Sequence, residues 1–137
     1  MSVYLEHANM TVSDLDEAIR FLTTAIPEFA VRHRGVSNGR EWAHVGSETF
    51  YIALNAASEE SPGHDAYQEL GVNHLGFVVE NAEAVATALR EAGFREGIQV
   101  DPHPYRKRVY FHDADDNEWE FVEYLTDDPA KRNDYAE

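Results

Sequence analysis

Three side chains could together do metal chemistry: His7, His74 and Glu120. Two imidazoles and one carboxylate make a facial triad, which grips a divalent ion and leaves positions open for water, substrate or dioxygen. The chain has no cysteine, so disulfides and thiolate ligands are excluded and imidazole is the softest donor present. That donor set suits Fe, Mn, Ni, Zn or Co rather than Ca, with Glu120 also the candidate catalytic group. A lone strand histidine is commonly only a hydrogen-bonded structural residue. What favours ligation is that these two histidines are equivalent.

His7 sits in the run from Leu5 to Val12 and His74 in the run from Val72 to Val79, 67 positions apart. The same offset carries Val12 onto Val79, Leu22 onto Leu89 and Ala25 onto Ala92, so one shift aligns a strand and the helix after it. A long period seen twice indicates two fused copies of one supersecondary unit rather than a solenoid, which needs three or more repeats. In the first copy, a strand over 3–12 is followed by Ser13 or Asp14 as a helix cap. A helix with Leu15, Ile19, Leu22 and Ile26 on one stripe then runs until Pro27 stops it. Strands over 29–34, 40–46 and 49–55 follow, separated by Gly35 to Gly39 and by Gly46-Ser47. The second copy repeats the order. It has a strand over 72–79, a cap near Asn81, a helix with Val85, Leu89 and Ala92 inward that is closed by Gly93, and strands at about 94–99, 107–112 and 117–125.

The expected fold is therefore α+β: two tandem βαβββ modules in one domain over 1–137, forming a curved mixed sheet with an open concave cleft and the helices on the convex side. Module one covers about 3–56 and module two about 72–125. The breaker-rich run over about 57–71 reads as a linker and 126–137 as a polar tail that is mobile or covers an edge.

Alternation along the strands assigns the faces. His7 lies with Leu5, Asn9 and Thr11, opposite Ala8, Met10 and Val12, which face the helix. His74 lies with Val72 and Gly76, opposite Leu75, Phe77 and Val79. Trp119 and Phe121 pack under the helix, leaving Glu118 and Glu120 on the histidine side, where a mid-strand carboxylate is costly unless it is paired or binds a cation. Tyr51, Tyr110 and Arg108 share that open face and, with Asn9, could line a substrate pocket, or the tyrosines could merely plug it. Trp42, Trp119 and Phe121 read as core. His44 and His112 fall near strand ends and read as structural or solvated.

Composition sets outer limits. With 137 residues, 43% of them hydrophobic, the chain can build one proper core, whereas two independent domains would each be marginal. A net charge of −15 repels nucleic acid and anionic membrane surface. No run of ~18 apolar residues exists and no basic-then-apolar leader opens the chain, so a cytoplasmic location is the default expectation. The one basic cluster, Arg106-Lys107-Arg108, is either a strand-end ion-pairing patch or a gate for an anionic substrate group.

The early-strand histidines and the run from Asp113 to Phe121, which is similar to an Asp-Pro-Asp-Gly-Asn-x-x-Glu-Leu signature ending in a metal-binding Glu, resemble the vicinal oxygen chelate superfamily. The resemblance covers about residues 3–125. Its members include glyoxalase I, fosfomycin-resistance thiol transferases, extradiol dioxygenases and bleomycin-resistance binding proteins. It implies His7, His74 and Glu120 as metal ligands, a small-molecule substrate with vicinal oxygens, and a homodimer. The family's full set has four ligands, and the 67-residue offset sets Ala53 at the place of Glu120, so the fourth looks missing. This puts glyoxalase I chemistry in doubt and looks more like the dioxygenases and the fosfomycin-resistance group. Two function classes follow. One is a metal-dependent lyase, transferase or dioxygenase, with fosfomycin-type transfer disfavoured by the acidity of the chain. The other is a non-catalytic protein that sequesters a small molecule, with the histidines as polar lining.

Overall fold

A computed structural model describes residues 2–135; Met1 and the last two residues of the polar tail, Ala136 and Glu137, lie outside the described residues. The chain divides into two compact units between His64 and Asp65, so the second part of the expected linker travels with the second unit.

In the first unit the strands are β1 (His7–Val12), β2 (Ala30–Ser37), β3 (Arg40–Gly46) and β4 (Tyr51–Ala56), with helix α1 (Leu15–Ala25) between β1 and β2. They form a four-stranded mixed sheet in the order β1-β4-β3-β2, with β1 parallel to β4 and the other pairs antiparallel. Asp14 caps α1, its carboxylate accepting from the Glu17 amide at 3.1 Å. Leu15, Ala18, Phe21, Leu22 and Ala25 form its buried stripe. They meet Ala43, Val45, Ile52 and Leu54 from the sheet, all buried. Burial of each large apolar side chain there contributes about 2 kcal/mol.

Two expectations in this unit need correction. Gly35 is not a break between strands: β2 runs on to Ser37, and the hairpin turns at Asn38-Gly39, both with positive φ (52° and 77°). That is the Asn-Gly pair that a primed two-residue turn requires. Trp42 is not core. It pairs with Asn55 and shares a face with His44, opposite the buried Ala43 and Val45. Its ring lies instead over Gly35, where a Cβ would come within 2.9 Å of it.

The second unit repeats the plan with β5 (His74–Val78), α2 (Ala82–Glu91), β6 (Arg95–Glu96), β7 (Arg106–His112) and β8 (Glu118–Tyr124), in the sheet order β5-β8-β7-β6. Asn81 caps α2 by accepting from the Ala84 amide at 3.0 Å. Gly93, at φ 88°, ends the helix: its N–H reaches Arg90 O and that of Phe94 reaches Leu89 O, the paired bonds of a left-handed C-terminal stop. Trp119, Phe121 and Phe111 fill the core beneath α2 with Val85, Ala86 and Leu89, and Phe77 stacks on Trp119 at 5.8 Å.

The β7–β8 turn is organised by Asp113. Its Oδ1 accepts from the Asp115 and Asn117 amides, and its Oδ2 from Asn117 Nδ2 and the buried Trp119 indole, all at 3.0 Å. Asp113→Ala removes the acceptor of all four of these bonds, one of them from a buried indole, and is expected to lower the unfolding free energy by about 2–4 kcal/mol. A lower urea midpoint at unchanged slope would show it.

The polar tail is partly ordered as α3 (Pro129–Arg132) and covers the start of β7. Buried Arg106 donates through Nη1 to the carbonyls of Asp134 (2.9 Å) and Arg132 (3.4 Å), and its guanidinium lies 4.3 Å from the Tyr135 ring centroid. Part of the basic cluster is thus a tail anchor.

Candidate functional site

Strand register places the chemistry-bearing residues. In the second unit His74 pairs with Glu118 and Gly76 with Glu120, while Tyr110 of β7 pairs with Glu120 from the other side. In the first unit His7 pairs with Tyr51 and Asn9 with Ala53, with His44 opposite Ala53. The 67-residue offset therefore survives through the last strand of each module, and Ala53 does occupy the place of Glu120. The helix exits differ and the β3–β4 turn is one residue shorter than its counterpart, so His44 rather than Ala43 matches Tyr110.

His74 is the centre of the second unit's open face. Its Nε2 lies 3.3 Å from Glu120 Oε2, and its Nδ1 lies 2.8 Å from the Tyr67 hydroxyl and 3.4 Å from Glu118 Oε1. Tyr67 also donates to Glu118 Oε1 at 2.6 Å, and Tyr110 donates to Glu120 Oε1 at 3.0 Å. Two carboxylates, one buried and the other 18% exposed, thus flank one imidazole, an arrangement that needs positive charge to offset their desolvation. A 3.3 Å separation is that of two neighbouring ligands of one small cation, each about 2.1 Å from it. Opposite Glu120 the chain has Gly76, whose missing Cβ would stand 3.3 Å from Oε2. These residues fit a divalent ion as two of its ligands. Among the described residues no three histidine, aspartate or glutamate groups gather as a complete ligand cluster.

Both tyrosine hydroxyls hold their protons tightly. Burial of the hydroxyl end, then the hydrogen bond to Glu118, pushes Tyr67 up to about 12; burial and then Glu120 do the same for Tyr110. An unfolded chain loses these protons near the ordinary ~10. The folded state therefore binds more protons between ~10 and about 12, and stability present below ~10 is lost as pH rises through that window. Of the seven tyrosines, two are expected to ionise late in an ultraviolet absorbance titration, and Tyr67→Phe to remove one of them.

His7, in the first unit, is exposed. Its Nδ1 pairs with Glu6 Oε1 at 2.8 Å and its ring stacks on Tyr51 at 4.8 Å. Tyr51 is also stacked by His44 at 4.6 Å, and the Arg32 guanidinium stands 4.3 Å from its centroid. His44 corrects the reading of it as a strand-end residue: it lies mid-strand on the open face. Its pKa is lowered by burial and then by the nearby charges of Arg32, His33 and His7. Asn9 is tied to Asn55, whose amide donates to Asn9 Oδ1 at 2.6 Å. Arg108 stands on the face of Tyr110, opposite Val122. His112 is held at the strand end, its Nδ1 3.3 Å from the Asp116 carbonyl.

Sequence reasoning missed Tyr67 and gave Glu118 no role beyond facing the histidine side. The only sign of Tyr67 was an aromatic residue inside an otherwise polar connecting run, seven positions before His74.

The glyoxalase/bleomycin resistance protein/dioxygenase superfamily profile matches residues 4–121. Curated protein sequences give no match. Among solved structures, a glyoxylase/bleomycin resistance protein/dioxygenase domain from Frankia sp. EAN1pec superposes with a TM-score of 0.76 at 23% identity, covering 90% of this chain and 99% of that one. Glyoxalase I of Leishmania major gives 0.71 at 18% identity, covering 89% and 87%. The fosfomycin resistance protein FosX of Listeria monocytogenes gives 0.69 at 16%, covering 96% and 99%. At these identities the structures establish the fold, and with most of the chain matched by the family profile, the protein belongs to the glyoxalase/bleomycin resistance protein/dioxygenase superfamily.

Proposed function

We propose that the protein is a metalloenzyme of the vicinal oxygen chelate type, in which His74 and Glu120 hold a divalent transition ion and His7 is the third ligand. The observation that carries this reading is the 3.3 Å approach of His74 Nε2 to Glu120 Oε2, each fixed from behind by a tyrosine. The register equivalence of His7 and His74 in their two modules supports the third ligand. Such an ion supplies Lewis-acid activation and a template for two adjacent oxygens of a small substrate. FosX of Listeria monocytogenes has been solved with Mn(II), which makes Mn a first ion to test among Fe, Mn, Ni, Zn and Co. Glu120 is the group placed to hold or move a proton beside the ion, and Tyr51, Tyr110, Arg108 and Asn9 are the proposed substrate lining. Lyase or ring-cleaving dioxygenase chemistry is favoured over transfer to an anionic substrate, because Arg106 is taken up by tail carbonyls and leaves a thinner basic surface. Metal analysis of protein purified without chelator or nickel resin tests the reading: about one ion per chain supports it, and none leaves a sequestering protein.

That second reading is favoured by one observation, the ring-lined open face of the first unit. There Tyr51 is stacked by His7 and His44, and the exposed His7 ring offers a planar ligand an aromatic surface.

A cytoplasmic homodimer completes the proposal. Exposed Val3, Leu5, Val72 and Val78, on or beside the edge strands β1 and β5, support association. Light scattering at micromolar concentration is expected to give twice the 15.5 kDa chain mass; the single-chain mass across dilution would contradict it.

A further inference from the structure

We infer that Tyr67 is a positioning residue for His74: its hydroxyl, held between the Glu118 carboxylate and Nδ1, fixes the imidazole as the Nδ1–H tautomer and leaves the Nε2 lone pair facing Glu120.

A carboxylate only accepts, and the 2.6 Å between the Tyr67 hydroxyl and Glu118 Oε1 is the length of a charge-assisted O–H···O bond, so the phenolic proton belongs to Glu118. The hydroxyl oxygen can then only accept from His74 Nδ1, 2.8 Å away, and the proton of a neutral imidazole must sit there. The direct Nδ1 to Glu118 distance of 3.4 Å is too long to do the same work. Nε2 is left with its lone pair 3.3 Å from Glu120 Oε2, two acceptors face to face, while Tyr110 holds the other oxygen of Glu120. Only a cation or a proton between them relieves that arrangement.

The backbone shows that Tyr67 is held in place. Its φ is 69°, in the left-handed region that a non-glycine residue adopts only under constraint, and its amide donates to Asn73 Oδ1 at 2.6 Å. The first module reaches the same end by another route, with the Glu6 carboxylate on His7 Nδ1 at 2.8 Å. Both histidines have Nδ1 occupied, the bond that orients an imidazole whose other nitrogen binds a metal.

The inference deepens the proposed metal role of His74, but its first readout needs no metal. Two-bond proton–nitrogen NMR on the metal-free protein at pH ~8.5, above the ordinary imidazole value, is expected to show His74 with a protonated Nδ1 and a bare Nε2. Tyr67→Phe should shift that ring toward Nε2–H and weaken Mn(II) binding about 10- to 100-fold. A tyrosine that merely packed the connecting segment would leave the tautomer unchanged. Nε2–H in the wild type overturns the inference, as does an unaltered tautomer in folded Tyr67→Phe. If that variant does not fold, the wild-type tautomer alone decides. If the wild type binds neither Mn(II) nor any of Fe(II), Co(II), Ni(II) and Zn(II), the metal reading fails, and the tautomer measurement still decides the role of Tyr67.

Discussion

Replacing either His74 or Glu120 by Ala is expected to weaken divalent-metal binding at least about 100-fold, or about 2.7 kcal/mol, more than loss of a residue that only orients a ligand costs. Each removes one of the two groups that meet at 3.3 Å, and each leaves the other held by a tyrosine with no counterpart. His7→Ala should fall in the same class. His112→Ala should leave affinity within a few-fold, since its Nδ1 is directed to the Asp116 carbonyl. Equal affinity in all four variants, read by calorimetry, would remove these residues from the site.

The second large effect is expected at Ala53. It is 3% exposed and occupies in β4 the place that Glu120 occupies in β8, opposite Asn9 and beside His44. Ala53→Glu puts a carboxylate where no cation stands among its strand neighbours, and the metal-free protein should lose about 3 kcal/mol of stability. If the proposed ligand set holds, saturating Mn(II) should restore most of that loss and bind more tightly than to the wild type, the added carboxylate serving as a fourth ligand. Thermal melts with and without Mn(II) check both halves. A loss that Mn(II) does not reverse would show that Ala53 does not face the ion.

Where the sequence was readable, the reason was local chemistry repeated at a fixed interval. Asp14 and Asn81 announce their helices by the oxygen they offer, Gly93 by the φ it tolerates, and the offset between His7 and His74 carries through to Tyr51 and Glu118 across both sheets. The misreadings came from register and from contacts distant in the chain. The size and apolarity of Trp42 suggest core, but alternation along β3, whose bounds were as expected, sets it with His44 on the face opposite buried Ala43 and Val45. Arg106 read only as part of an ion-pairing patch or a gate, because nothing in its neighbourhood shows that carbonyls 26 and 28 residues later will occupy it. Tyr67 lay in a run whose polarity suggested a linker. Its role depends on a left-handed backbone bend and on Glu118, 51 residues away.

The most direct test of the account is a calorimetric titration of metal-free wild-type protein with Mn(II) at neutral pH, repeated at lower pH. Saturable binding of about one ion per chain is expected, weakening in acid, because protons compete with the metal for the imidazole and carboxylate ligands. The absence of saturable binding, or binding indifferent to both pH and the His74→Ala change, would contradict it.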